Sequence, residues 1–251
     1  MRLVYVVVVS VLVLAAPAAT GDRVVETLDG AVRGRLVRDL NVTYYAYLGI
    51  PYAEAPTGQL RFKPPVPKEP WNGTLDATAY GPVCPQDDKY HTRSEMSEDC
   101  LSLNVYVPAR PALAPTPVLV LGALGFLSVH TEDAAGNAAL KDILLALQWV
   151  KKHIAQFGGD PDNITIGGES SGAVLVHYLT LSEQSTNLFH KAHIISGSAL
   201  GYRFFNRHPI KTALDLGKKM GYHTEDLYEL VQKLQEADVF DIVAAQGDKT
   251  N

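Results

Sequence analysis

The stretch Asn163-Ile-Thr-Ile-Gly-Gly-Glu-Ser-Ser-Gly-Ala-Val-Leu-Val176 decides the fold. It begins with β-branched residues typical of a short strand and ends with apolar residues typical of a buried helix. Between them stands the pentapeptide Gly168-Glu169-Ser170-Ser171-Gly172. A strand, then G-x-S-x-G, then a helix predicts a sharp turn that holds Ser170 at the carboxyl edge of a sheet.

Ser170 in this setting is the candidate catalytic nucleophile, because a serine hydroxyl needs room for both a base and a substrate. We expect Gly168 and Gly172 to remove Cβ atoms that would crowd the turn, with Glu169 between them. The backbone N–H of Ser171, at the positive end of the following helix, is the expected oxyanion donor. The alternative is a chance pentapeptide, which the flanking strand and helix disfavour.

Several longer motifs surround the pentapeptide. They are Tyr47-Leu-Gly-Ile-Pro-Tyr52, Pro56-Thr-Gly-Gln-Leu-Arg-Phe62, Ser97-Glu-Asp-Cys-Leu-Ser-Leu-Asn-Val-Tyr106, Ala146-Leu-Gln-Trp-Val150 and Phe157-Gly-Gly-Asp-Pro161. Together they resemble the type-B carboxylesterase and cholinesterase family of α/β-hydrolases. The resemblance implies that residues 20–251 form an incomplete α/β-hydrolase domain. Such a domain has a mostly parallel central sheet flanked by helices and a small antiparallel N-terminal region.

The chain departs from this family after Thr116-Pro-Val-Leu-Val120. In the family that strand leads into a glycine loop whose backbone N–H groups form most of the oxyanion hole. Here Val120 continues directly into Leu121-Gly-Ala-Leu-Gly-Phe126, which in the family follows the next strand. Central strand material is therefore expected to be missing, together with an arginine that the family pairs with the residue matching Asp142. A buried carboxylate without such a partner is expected to destabilise the fold or to be protonated.

The composition limits the function classes and suggests a compartment. The chain has 251 residues, 47% of them hydrophobic, which suits one sizeable core. Its net charge of −5 excludes a general nucleic-acid-binding surface. Residues 1–19 combine Met1-Arg2, an apolar run and small residues, and predict a signal peptide and secretion. An uncleaved anchor is the alternative. No later stretch is predicted to span a membrane.

The resemblance also implies structural residues outside the turn. The family pairs its cysteines at the places of Cys84 and Cys100, and a disulfide is the simplest use of two cysteines in a secreted chain. A two-cysteine metal site is the poorer alternative, because no histidines cluster nearby. The resemblance further implies a structural salt bridge from Arg61 to Glu98, with a solvated surface pair as the alternative. Glycosylation is predicted at the sequons of Asn41 and Asn72, whereas a third sequon, at Asn163, leads into the buried strand.

The sequence predicts a secreted carboxylic-ester hydrolase by lineage, acting on small-molecule esters through an acyl-enzyme. It predicts no cofactor and no metal. The acid and histidine of the family's triad lie beyond Asn251, and most of the glycine loop is missing, so we expect no ester turnover from these residues alone. A non-catalytic binding or adhesion module, or a regulatory isoform on the same fold, is the alternative function. The intact serine and its glycines favour the enzyme lineage.

Overall fold

The computed structural model describes residues 5–7, 21–39, 42–86, 91–109, 116–120, 131, 133–201 and 205–247. The strands in these ranges are β1 Tyr5–Val7, β2 Arg23–Glu26, β3 Ala31–Asp39, β4 Val42–Pro51, β5 Thr74–Asp76, β6 Ser102–Pro108, β7 Thr116–Val120, β8 Gly159–Glu169 and β9 Lys191–Ile195. The α-helices are α1 Ala138–His153, α2 Ser171–Leu181, α3 Pro209–Lys219, α4 Leu227–Glu236 and α5 Val239–Gly247. Short 3-10 helices cover Gly58–Leu60, Arg93–Glu95, Ile154–Phe157 and Glu183–Ser185.

The N-terminal strands form a mixed sheet in the order β1-β6-β4-β3-β2, with β5 also paired to β3. Its hairpin between β2 and β3 turns at Asp29-Gly30, as the sequence predicts, and Glu26 lies opposite Ala31. Gly30 has a φ of 141°, and a Cβ there would lie 2.5 Å from the ring of Trp71. Only glycine fits this turn without strain.

The strands β7, β8 and β9 form a second, wholly parallel sheet in that order. Among the described strands, no hydrogen-bonded pairing joins this sheet to the first one. The strand β1, which pairs in parallel with β6, falls inside the predicted signal peptide. A mature chain without residues 1–19 would therefore lack β1, and the corresponding edge of β6 would lose that partner.

The helix α1 packs its apolar face into the main core. The sequence predicts one apolar helical face from the spacing of Leu140, Leu144, Leu147, Val150 and Ile154. The last four are buried, and Leu140 is partly buried against the same core. The core also takes side chains from β4, β6, β8 and α2, so it spans both sheets. The same spacing predicts a helix from Ala138 to Phe157. The α-helix ends at His153 instead, and the chain continues as the 3-10 helix Ile154–Phe157. Gly158, with a φ of 86°, then ends the helical segment.

The C-terminal helices form a second, smaller core. Its buried side chains come from a residue before α1 and from α3, α4 and α5, namely Ala134, Ala213, Leu216, Leu230, Val231, Leu234 and Ile242. The sequence predicts α4 from its apolar spacing, and the helix is present, capped by the carboxylate of Asp226, which accepts from two backbone N–H groups. This cluster lies beside the Cys84–Cys100 segment and closes one side of a cavity.

Candidate active site

Ser170 lies between the end of β8 and the first residue of α2, at the carboxyl edge of the parallel sheet. Its backbone has a φ of 55° and a ψ of −120°, a conformation that L-residues rarely adopt. Such a strained residue persists only when its surroundings enforce it, and strain of this kind clusters at functional sites. The side chain is exposed to solvent. The position is the one that the sequence predicts for Ser170.

Contacts from β9 and its following loop hold this turn in place. The N–H of Ser170 donates to the carbonyl of Ile195 at 2.9 Å, and the N–H of Val174 donates to the carbonyl of Ser170 at 3.2 Å. Gly197 approaches so closely that a Cβ there would lie 2.3 Å from the Ser170 carbonyl oxygen. Sequence reasoning missed Gly197, although the Ser196-Gly-Ser198 sequence is a signal for close backbone approach.

The glycines of the pentapeptide play unequal parts. A Cβ on Gly168 would lie 2.3 Å from the backbone carbonyl carbon of Gly172, so a side chain there would force the strand and helix apart. A Cβ on Gly172 would meet no heavy atom within 4 Å. The crowding predicted from the sequence therefore holds for Gly168 and is wrong for Gly172. Glu169 is exposed beside the turn.

Three of the described histidines make side-chain hydrogen bonds away from Ser170. The Nδ1 atom of His177 accepts from the N–H of Ala199 at 3.2 Å, and that of His190 accepts from the N–H of Ile164 at 3.1 Å. His153 is fully buried in the main core. Among the described residues no hydrogen bond joins a histidine to the Ser170 hydroxyl. The part of the chain that the structure describes thus brings a serine to the turn without a base.

His153 and Asp29 form a buried pair that sequence reasoning missed. The Nε2 atom of His153 lies 2.8 Å from Asp29 Oδ2, and its Nδ1 accepts from the N–H of Leu28 at 3.3 Å. Because Nδ1 accepts, the ring proton sits on Nε2 and is donated to Asp29. Burial lowers the pKa of His153, and the neighbouring Asp29 carboxylate only partly opposes this effect. The pair fastens the β2–β3 turn to the end of α1.

The disulfide segment carries two of the expected structural contacts. Cys84 and Cys100 are joined, with their Cα atoms 5.1 Å apart. Arg61 and Glu98 form a bidentate salt bridge, in which Nε and Nη2 of Arg61 each donate to one carboxylate oxygen of Glu98 at 2.7 Å. Arg61 also donates to two carbonyls at the end of α4, those of Leu234 at 2.8 Å and Ala237 at 2.7 Å. The bridge therefore fastens α4 as well as the disulfide segment.

Two further expectations concern glycosylation and Asp142. Asn72 is exposed in a turn, whereas Asn41 lies outside the described residues.

Asp142 is half-buried in α1, and burial raises its pKa to about 7. Among the described residues it makes no ion pair or hydrogen bond. This state of Asp142 agrees with the expectation of a buried carboxylate that lacks its partner.

The carboxylesterase family model matches residues 21–121 and 121–251, which together cover most of the chain. The chain belongs to the carboxylesterase family. The fold class predicted from the sequence, an incomplete α/β-hydrolase, is consistent with the family and with the two sheets and their helices. The two matched segments meet at residue 121, next to the point where Val120 runs into Leu121 without the glycine loop.

Curated members of the family show similar coverage. Carboxylesterase 4A of Bos taurus is 33% identical over 270 residues, covering 88% of this chain and 49% of its own length. Juvenile hormone esterase of Heliothis virescens is 36% identical over 236 residues, covering 76% of this chain and 42% of its own length. Acetylcholinesterase of Bungarus fasciatus is 34% identical over 277 residues, covering 90% of this chain and 46% of its own length. The chain thus spans about half the length of the curated relatives it matches.

The aligned lengths indicate that a relative has residues which this chain lacks. The match to carboxylesterase 4A extends over 270 residues although the whole chain has only 251. That relative therefore contains residues with no counterpart in this esterase-family chain. The two-part family match places such a break next to Val120, at the end of β7.

Metal clusters and membrane-spanning helices would indicate other functions, and the described residues contain neither. No group of three or more histidine, cysteine or acidic side chains in these ranges is arranged to hold a metal ion. No helix in the same ranges combines the length and the apolar character needed to cross a bilayer.

Proposed function

We propose that Ser170 is the nucleophile of a carboxylic-ester hydrolase that acts on small-molecule esters through an acyl-enzyme. The observation that carries the proposal is the exposed, positive-φ conformation of Ser170 between β8 and α2. Family membership supports it, because the relatives are carboxylesterases and other esterases. In the proposed reaction the serine oxygen attacks the ester carbonyl, its proton passes to a base, and the alcohol leaves.

The backbone N–H of Ser171 is proposed as one oxyanion donor. Ser171 is the first residue of α2, where backbone N–H groups point out of the helix and the dipole favours negative charge. A single donor of this kind contributes on the order of 10²–10³ in rate. The sequence has no glycine loop after Val120, and among the described residues no hydrogen bond joins a histidine to Ser170. We further propose that this polypeptide alone does not turn over esters.

We propose that the protein is secreted, with residues 1–19 as a cleaved signal peptide and with a glycan on Asn72. Support comes from the leader pattern, from the Cys84–Cys100 disulfide, which suits an oxidising compartment, and from the exposure of Asn72. N-terminal sequencing of protein secreted by a eukaryotic host tests whether the leader is cleaved. Comparing the glycan mass of wild type with that of an Asn72→Gln variant tests the glycan. A retained leader or an unchanged glycan mass in the variant would contradict them.

The nucleophile is tested in a chimera that supplies what these residues lack. Carboxylesterase 4A provides the segment between Val120 and Leu121 and the region that follows the matched part. The chimera is expected to hydrolyse p-nitrophenyl butyrate and to bind a fluorophosphonate probe, and Ser170→Ala is expected to abolish both. Ser171→Ala is the matched control, because it keeps the backbone N–H and should retain most of the activity. A chimera that folds and is labelled equally well with Ser170→Ala would refute the assignment.

The inactivity of the polypeptide alone is tested without the chimera. The wild-type chain and Ser170→Ala are compared in the same two assays. We expect equal background rates and no labelled serine. Turnover by the wild type well above the Ser170→Ala background would mean that a histidine of this chain serves as the base.

A further inference from the structure

A cavity of about 670 Å³ lies between the disulfide segment, the start of α1 and the helices α3 and α5. This volume falls within the range of small-molecule sites in proteins, roughly 300–1,000 Å³. Much of the wall is apolar, with contributions from Phe62, Leu101, Leu216 and Ile242. Ser170 is not among the lining residues, so nothing in the proposed esterase reaction uses this space.

Most of the charged side chains that line the cavity are engaged with other groups. They are Arg61, Lys63, Glu98, Asp142, Asp215 and Lys219. Arg61 pairs with Glu98, and Lys63 pairs with Asp133 at 2.8 Å. Asp215 accepts from Lys211 at 2.6 Å, and the Nζ of Lys219 donates to the Ala245 carbonyl at 3.3 Å. Two of the three acids on this wall, Glu98 and Asp215, therefore have cationic partners.

Asp142 is the exception on this wall. It projects from the first half of α1, and it has no ion pair or hydrogen bond in the part of the chain that the structure describes. Tyr52 lies near enough to interact electrostatically with it, and burial together with the Asp142 charge raises the pKa of that phenol. Tyr52 therefore stays neutral and does not compensate the carboxylate. The cavity thus combines an apolar wall with one uncompensated acid.

We propose that this cavity binds an apolar organic cation, an arylalkyl or aliphatic amine whose ammonium group pairs with the Asp142 carboxylate. The pairing would supply the charge partner that Asp142 lacks, and a charge-assisted hydrogen bond is stronger than a neutral one. The hydrocarbon part of the ligand would cover the apolar wall. A neutral ligand of the same shape would gain only the second contribution. An anion would be repelled by the ionised acid, and Arg61 and Lys63 are already paired with carboxylates.

The charge state of Asp142 makes the affinity depend on pH. Its pKa of about 7 means that the free site is mostly protonated in mild acid and mostly ionised in mild base. The amine stays protonated throughout this range. If the ammonium binds only the ionised form, the fraction of competent sites, and hence the affinity, rises about tenfold between about pH 6 and about pH 8.

Isothermal titration of the folded chain without the proposed leader 1–19, with phenylbutylamine and with phenylbutanol as the neutral counterpart, tests the proposal. Asp142→Asn is the decisive variant, and its fold is checked by circular dichroism. Asp215→Asn is the matched control, because Asp215 lines the same cavity but already has a lysine partner. Carboxyl carbon NMR of Asp142 with and without the amine is a second, independent readout.

We expect the amine to bind wild type and Asp215→Asn about tenfold more tightly at about pH 8 than at about pH 6. Phenylbutanol should bind weakly with no such change, Asp142→Asn should lose the pH dependence, and the amine should lower the pKa of Asp142. Equal affinity for amine and alcohol, an unchanged pH dependence in Asp142→Asn, or no amine binding to the folded chain would each overturn the proposal. None of these readouts depends on ester hydrolysis, so failure here and failure of the Ser170 assignment are distinguishable.

Discussion

Replacing Asp142 with asparagine is expected to stabilise the chain, and the gain should grow as the pH rises. Asp142 has its ordinary pKa of 3.8 when unfolded and a pKa of about 7 when folded. Between these values the folded state holds a proton that the unfolded state has released. A raised carboxyl pKa therefore gives stability that is present in acid and is lost as the pH rises toward neutrality.

The size of the effect follows from the shift. Each unit of pKa difference corresponds to about 1.36 kcal/mol. Relative to strong acid, the raised pKa therefore lowers the free energy of unfolding by about 4 kcal/mol at about pH 8 and by less than about 2 kcal/mol at about pH 5. Asparagine has nearly the same shape and does not ionise. The advantage of Asp142→Asn over wild type should therefore increase by about 2.5 kcal/mol across this range.

Urea unfolding of both proteins across this pH range measures the effect, because the change with pH cancels any constant difference in packing. Asp215→Asn is the control. Its side-chain hydrogen bond to Lys211 lowers the pKa of Asp215, so removing it should weaken the fold most above the acid range. The reasoning about Asp142 is refuted if the advantage of Asp142→Asn stays flat with pH or grows in acid.

Three further predictions concern other parts of the fold. Arg61→Leu should lower the free energy of unfolding in urea by about 3–5 kcal/mol, because it leaves the partly buried Glu98 unpaired. Arg33→Leu is the control: it removes an exposed pair and should change the same free energy by less than about 1 kcal/mol. Burial holds the pKa of His153 below 6.5, so the unfolded state binds a proton more readily than the folded state does. The free energy of unfolding should therefore fall as the pH drops below 6.5, and His153→Gln should make this fall smaller when unfolding is measured against pH. Ser170→Gly should raise the melting temperature, since glycine relieves a positive-φ strain of about 1–3 kcal/mol; an unchanged or lower melting temperature would contradict that strain.

The sequence predicts the elements whose signals are local. The pentapeptide around Ser170 is flanked by residues that favour a strand and a helix, so the turn could be predicted from adjacent positions. Asp29-Gly30 predicts the first hairpin for the same reason, and the apolar spacing from Leu227 predicts α4. The helix α3 was not predicted, although Pro209 at its first position is a start signal.

Contacts between distant residues could not be read in the same way. Arg61 donates to the Leu234 carbonyl across 173 positions, and His153 contacts Asp29 across 124. Nothing in the local spacing of these residues distinguishes them from solvated surface charges. The state of Asp142 was expected only because the family pairs the matching residue with an arginine. A cavity is harder still to predict, because its walls come from segments that are far apart in the chain.

The break after Val120 affects stability and catalysis through different residues. The turn at Ser170 is held by β8, α2 and the β9 carbonyl of Ile195, all of which lie after the break, so its strained conformation does not require the missing strand. Asp142 lies on α1, and the resemblance implies that its partner would be an arginine of that strand. Asp142→Asn should therefore raise the free energy of unfolding without producing esterase activity, because it adds neither a base nor an oxyanion donor at Ser170. Restoring the segment between Val120 and Leu121 should stabilise the fold and also supply the glycine loop. If Asp142→Asn alone made Ser170 reactive toward a fluorophosphonate, the proposed lack of turnover would have to be attributed to instability rather than to missing catalytic groups.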